Sequence, residues 1–211
     1  MNKKNGHVAI KNSLLGRISL TLSLLISLCF AQMAFAAAKS PIHEVQGTLD
    51  AILVFLRDKE MDGAVKEERI RALISERFDF HTMSRRTLAT NWRKASDPER
   101  ADFIENFSEL LAATYLGRIE AYTDERVEYV GEKVKGKRAI VNTLIIAKTA
   151  DIPIRYKMIK RDDEWFVYDV VIEEVSLIQN YRNSYREIVK REGFSGLLAK
   201  MKQKIAELKN S

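Results

Sequence analysis

The sequence predicts one α+β domain, in which helices pack with a four-stranded antiparallel sheet. Three observations carry this reading. From Ile42 to Tyr122 apolar residues recur at three- and four-residue spacings, the period of amphipathic helices. From about Glu125 to Glu173 the period becomes two, as in strands. From Ser176 to Lys209 the helical period returns. A composition of 46% hydrophobic and 30% charged residues, with only 3 Pro and 9 Gly, excludes a disordered or collagen-like chain. A single Cys excludes both a disulfide framework and a thiolate metal cluster.

The first 36 residues read as an export signal rather than as part of the fold. Lys3, Lys4, Lys11 and Arg17 form a basic start with no acidic residue. The apolar run Ile18 to Phe30 follows, and Ala34-Phe35-Ala36 supplies a small-x-small cleavage site. Thirteen residues are too few to span a bilayer comfortably. Cys29 is preceded by Leu28, where a lipidation signal wants a small residue. Cleavage after residue 36 removes four of the six excess positive charges, so the remaining chain, 37–211, carries a net charge of +2 and no cysteine. The basic total is thus largely an address, which weakens a nucleic-acid reading. A periplasmic or exterior location is expected.

Ile42, Val45, Leu49, Ile52, Leu53 and Leu56 place an amphipathic helix over 42–58. A second runs from Val65 to about Phe78 through Ile70, Leu73 and Ile74, and a short one covers Met83 to Leu88. Ser96-Asp97-Pro98-Glu99 is a capping box with Pro in the first turn. It opens a long helix bearing Phe103, Phe107, Leu110, Leu111, Tyr115, Ile119 and Tyr122.

Strands are expected at 126–134, 138–148, 152–161 and 164–173. Their junctions, at Gly136-Lys137, at Asp151 with Pro153 and at Asp162-Asp163, are short, so an antiparallel meander is the simplest topology. Ser176 caps a helix carrying Tyr181, Tyr185, Ile188 and Val189. Gly193 stops it, and Phe194 to Leu208 forms a last helix.

The sheet has an unusual composition. Ile140, Leu144 and Ile146 lie on one side of the second strand, Val141 and Ile145 on the other. The fourth strand sets Trp165, Val167 and Val171 against Phe166, Tyr168, Val170 and Ile172. A sheet with one wet face alternates cleanly, so both faces here need cover. Helices on both sides would provide it; so would an apolar ligand cavity between the sheet and the long helix.

Chemistry-bearing patterns are sparse. His43 and His81 stand alone, without partners at zinc-site spacing. No GxSxG, SxxK or phosphate-cradling Gly loop occurs, so neither a catalytic set nor a metal or cofactor site is expected. Asp169, inside a hydrophobic strand, needs a partner, for which an Arg or Tyr is expected. Arg182 and Arg186 share a helix face beside Tyr181 and Tyr185, and Arg85-Arg86 stand in a turn-rich segment before Trp92. Solvated charge is one reading of these arginines; contact with an anionic headgroup or a partner by Arg85, Arg182 and Arg186 is the other.

Taken together, certain residues resemble the MlaC family, periplasmic phospholipid-binding proteins also called toluene-tolerance or auxiliary ABC-transport proteins. The carriers are Phe78-Asp79-Phe80 with Met83 and Arg86, Trp92, the series Arg100, Phe103, Phe107, Leu110, Leu111 and Tyr115, and Trp165 to Val170 followed by Glu173 to Ser176 and Asn180-Tyr181-Arg182. Glu174 departs from the family, where Gly is usual. The resemblance implies a curved four-stranded sheet packed with about six helices around an apolar lipid cavity. It implies a shuttle that carries phospholipid between an outer-membrane lipoprotein complex and an inner-membrane ABC transporter, maintaining outer-membrane lipid asymmetry. Phe103, Phe107, Leu111, Tyr115, Leu144, Ile146, Tyr156, Met158, Tyr168 and Val170 are then expected to line the cavity. The alternatives are a carrier of another apolar ligand, such as a hopanoid or an organic solvent, a hydrolase, or an interaction domain.

Overall fold

The computed structural model describes residues 40–120, 126–147 and 150–210. The expected export signal lies outside the described residues. Helix α1 spans Pro41–Arg57, capped by Ser40, with Val45, Ile52 and Leu56 on its buried stripe. Asp62 caps α2, Gly63–Arg77, whose Ile70 is fully buried. Asp79 caps α3, Phe80–Leu88, through the Thr82 amide at 2.8 Å. Arg85 and Arg86 thus lie in the short helix expected over Met83 to Leu88, and the turn-rich part before Trp92 is confined to the residues after Leu88. A short 3₁₀ turn over Ala89–Arg93 leads to α4, Asp97–Glu120. Its start is the expected capping box. The Ser96 amide donates to Glu99 at 2.8 Å, and the Glu99 amide reaches back to Ser96 Oγ at 3.4 Å.

Five strands follow: β1 Arg126–Lys135, β2 Arg138–Ile146, β3 Asp151–Arg161, β4 Glu164–Ile172 and β5 Val175–Ser176. They form an antiparallel meander in sequence order. The fifth strand is an addition to the predicted four. Only two residues long, it has no periodicity to read. It exists because the chain reverses at Glu173-Glu174, where φ is 46° and 69°. Both central residues of a two-residue hairpin loop at positive φ define a type I′ turn, which favours Gly. Glu174, where the family usually has Gly, therefore occupies a left-handed position at an energetic cost. The same turn recurs at Asp162-Asp163, with φ of 46° and 65°.

The last element, α5, runs Leu177–Lys209 from a Ser176 cap, with the Gln179 amide donating at 3.1 Å. Gly193 interrupts it with non-helical φ 73° and ψ −173°. The two helices expected on either side of Gly193 are thus two arms of one kinked element. Among the described residues there are five α-helical elements against the predicted six or so, and the difference is only that the two expected helices run on across the non-helical Gly193.

Burial divides the molecule into packed layers. One core joins the inner sheet face to α1, through Val45, Val141, Tyr156, Met158 and Val167. A second, purely helical core holds Phe103, Phe107, Tyr185, Leu197 and Met201. A smaller third core joins α1, α2 and the end of α4 through Ile52, Leu56, Ile70 and Leu116. Among the described residues, Phe78 packs against both the sheet core and the main helical core. Its neighbours tie the layers together. The Asp79 amide donates to the Val167 carbonyl at 2.8 Å, and Arg77 Nη1 donates to the Trp165 carbonyl at 2.7 Å.

Candidate functional site

Strand register decides which side chains share a face. In β2 and β3, Val141 stands opposite Tyr156, Ala139 opposite Met158 and Thr143 opposite Ile154. All of these point inward and are buried. Leu144 stands opposite Pro153 and Ile146 opposite Asp151, on the outer face. The predicted lining set therefore joins residues of two faces. A one-residue step along a strand reverses a side chain's direction, so no single wall holds Leu144 and Ile146 together with Tyr156 and Met158.

The register also slips in β4. Tyr156 pairs with Val170, but Met158 pairs with Val167, leaving Tyr168 in a bulge. The bulge shifts the alternation, so Trp165, Val167 and Val170 join the inner core. Uninterrupted alternation, as expected from the sequence, places Val170 on the face opposite Trp165 and Val167, and the bulge corrects this. Tyr168 is itself buried, with the Arg86 guanidinium carbon 4.2 Å from its ring centre.

The expected α4 residues cluster as a group. Phe103 and Phe107 are fully buried and stacked at 5.5 Å, with Leu111 beside them and Tyr115 at the margin. They face α3 and the two arms of α5 rather than the inner sheet face. The predicted set thus resolves into a helical group (Phe103, Phe107, Leu111, Tyr115), an inner-sheet group (Tyr156, Met158, Val170), an outer-face pair and the bulged Tyr168. Phe78 lies at the seam between the first two groups.

Two hollows lie elsewhere, and Phe78 lines neither of them. One of about 390 Å³ lies between α4 and both arms of α5, lined by Leu110, Thr114, Tyr181, Tyr185, Ile188, Leu197, Met201 and Leu208 among others. The other, of about 310 Å³, is an outer-face groove lined by Val130, Asn142, Leu144, Pro153, Arg155, Val171 and Glu174 together with Thr143 and Ile154. Each is at the small end of the usual range of about 300–1,000 Å³ for ligand pockets.

Polar groups inside the sheet layer are few and nearly all paired. Asp169, only 4% exposed, accepts from Lys157 Nζ and Ser176 Oγ at 2.8 Å each and from the Ile178 amide at 3.2 Å. The expected Arg or Tyr partner is thus a Lys and a helix start. Lys157 is the residue directly across the ladder, a relation that sequence spacing does not reveal. Asp169→Ala is expected to cost about 1–3 kcal/mol, as buried donors lose their acceptor. The cost stays below that of a fully buried ion pair because the Lys157 side chain is 34% exposed and can rehydrate. A shift in urea midpoint measures it; an unchanged midpoint would show that Asp169 does not anchor α5.

Burial pushes the Tyr156 phenol up to about 12, against a weaker opposing hydrogen bond with Thr143. Burial likewise raises Tyr129, whose hydroxyl donates to Asp50 at 3.0 Å, and Tyr185. An unfolded tyrosine ionises near pH 10, so between about pH 10 and 12 the unfolded chain sheds a proton that folded Tyr156 keeps. Stability is therefore full below pH 10 and falls on raising the pH from 10 to 12. Tyr156→Phe is expected to flatten this fall, read as urea midpoints at pH 9 and 11. Equal slopes in both proteins would contradict it.

Fold and site define an α+β protein whose sheet layer and helical layer each bury apolar surface against a shared seam. The chain belongs to the MlaC family: the family model described as MlaC protein matches residues 46–203. It is 24% identical over 128 residues to the intermembrane phospholipid transport system binding protein MlaC of Haemophilus influenzae, a match covering 58% of this chain and 60% of that protein, less than two thirds of its length. It is 23% identical over 196 residues to the toluene tolerance protein ttg2D of Pseudomonas putida, covering 85% of this chain and 91% of that protein. A solved structure of a phospholipid-binding protein from Ralstonia solanacearum, in complex with a phospholipid, superposes with a TM-score of 0.73 at 20% identity. That match covers 81% of this chain and 99% of the other, and it shows the fold.

Proposed function

We propose that this chain is a periplasmic carrier of phospholipid, moving it without chemistry between an outer-membrane complex and an inner-membrane ABC transporter. The observation that carries the reading is the family match across residues 46–203, with a relative named for intermembrane phospholipid transport. The geometry supports it through the seam at Phe78, with apolar side chains of the sheet layer and of the helical layer on either side. Acyl chains would lie between Tyr156, Met158 and Val170 and the Phe103, Phe107 and Leu111 side. Tyr156 and Met158 are buried in the closed form, so the layers must part to admit lipid. Each methylene that leaves water contributes about 0.8 kcal/mol, which over two chains is ample to offset that parting. Release then needs a partner that offers competing apolar surface or favours the open form. The basic N-terminal segment ending at Ala36 would direct the chain across the inner membrane.

Extraction of lipid from purified protein, followed by mass spectrometry, tests the proposal. Phospholipid in stoichiometric amount is expected. Protein that is reproducibly empty would sink the carrier idea. A co-purified triterpenoid or aromatic solvent would favour the second reading, which the toluene-tolerance relative keeps open.

A further inference from the structure

Arg182 is tied to Arg86 through the Arg86 backbone carbonyl, and among the described residues neither arginine has a counter-ion. Arg86 lies in the last turn of α3, its guanidinium against the ring of Tyr168 at 4.2 Å. Its Nε is buried and donates to nothing. Arg182, on the first arm of α5, donates from Nε to the backbone carbonyl of Arg86 at 2.8 Å and from Nη1 to the uncharged Gln179 side chain at 3.4 Å. Among the described residues, neither arginine has a carboxylate within ion-pair distance, unlike Arg161 and Lys157. Arg161 pairs with Asp79 at 2.7 Å and Lys157 with Asp169 at 2.8 Å. The carboxylate next in sequence to Tyr168 is thus already committed, to Lys157, Ser176 and the start of α5.

The C-terminal end of α3 offsets part of this charge, since a helix C-terminus carries roughly −0.5 of an elementary charge. Two full positive charges remain against it. A guanidinium that is partly desolvated, stacked on an aromatic face and left without an acceptor matches a planar or tetrahedral oxyanion, for which Arg forks are suited. The location adds to this. Tyr168 follows directly on Val167, the residue bridged to Phe78 at the seam, so the pair sits beside the line along which the layers must part.

We propose that Arg86 and Arg182, with the Tyr168 ring as a platform, form an anion site that takes the phosphate of the bound phospholipid. This rests on the carrier reading, and it assigns headgroup contact to Arg86 and Arg182 rather than to the surface arginines. Arg85 is exposed, and Arg186 is exposed and turned to Glu187 at 3.3 Å.

The test compares a phosphatidylglycerol with a diacylglycerol carrying the same fluorescent acyl chains, on the wild-type protein, Arg86→Gln and Arg182→Gln. Arg86→Lys checks that loss of the stacked side chain has not simply unfolded α3. Affinity for the phospholipid is expected to fall about ten-fold in each Gln variant, as for loss of a charge-assisted contact, while diacylglycerol affinity stays within about two-fold. Arg86→Lys should recover part of the loss. Equal losses for both lipids, or a wild-type protein that does not prefer the phosphate-bearing one, would overturn the site. If the wild type bound neither lipid, the carrier reading itself would fail. Inorganic phosphate, followed by ³¹P line width, would then decide the site alone. Broadening lost in Arg86→Gln would make free phosphate the ligand, and no broadening would overturn it.

Discussion

Tyr156→Trp is expected to lower phospholipid occupancy about ten-fold, whereas Leu144→Trp should leave it unchanged. The two positions are on adjacent strands, yet they face opposite ways. Tyr156 is 7% exposed on the inner face, opposite Val141, while Leu144 borders the open outer groove opposite Pro153. Added volume in a packed layer costs about 1–3 kcal/mol, and 1.4 kcal/mol is a factor of ten in binding. On the outer face an indole has open space and displaces no neighbour. Occupancy is read as lipid phosphorus per mole of protein, with far-UV circular dichroism to confirm that both variants fold. The reverse result, loss with Leu144→Trp alone, would place the acyl chains in the outer groove. Unchanged occupancy in both would remove the sheet from the binding wall altogether.

Phe107→Ala should be among the most damaging single changes to stability, at about 3–5 kcal/mol. Phe107 is fully buried, stacks on Phe103 at 5.5 Å, and meets Tyr181 and Tyr185 edge-on at 5.3 Å and 6.3 Å. The substitution removes buried apolar area and leaves a cavity among side chains of α4 and α5, neither of which can collapse into it without moving the other. Domains of this size are stable by only about 5–15 kcal/mol, so the loss is a large fraction of the total. Urea unfolding of lipid-free protein is the appropriate measurement, because bound lipid adds its own stabilisation by mass action. A loss under about 1 kcal/mol would mean that the helical core re-closes around the gap and is not a fixed wall.

Much of this fold is legible because its signals are local. The Ser96-Glu99 capping box, the Ser176 cap and the break at Gly193 each involve residues within a few positions of one another, and each forms as its residue types dictate. The change of period near Glu125 marks the sheet for the same reason, since side-chain direction along a strand follows from backbone geometry alone. The candidate site was less legible. Its residues are united by pairings across the ladder and between layers, such as Lys157 with Asp169 and Arg86 with Tyr168. The bulge at Tyr168 defeats any reading by strict alternation, because nothing local to that residue announces the extra step.

The sequence by itself determined which segments are helical and which extended, where most of them begin and end, and a resemblance strong enough to name a family. It also located four of the six excess positive charges in a segment expected to be removed. Only the tertiary structure decided the register that puts Tyr156 and Leu144 on opposite faces, the reversal at Glu173-Glu174 that adds a fifth strand, and the seam at Phe78 between two separate cores. The physical reason is range. Caps and periodicity are set by hydrogen bonds and sterics within one or two turns of chain. Register, face and layer contact are set by which distant surfaces exclude water from each other, and that is a property of the whole fold.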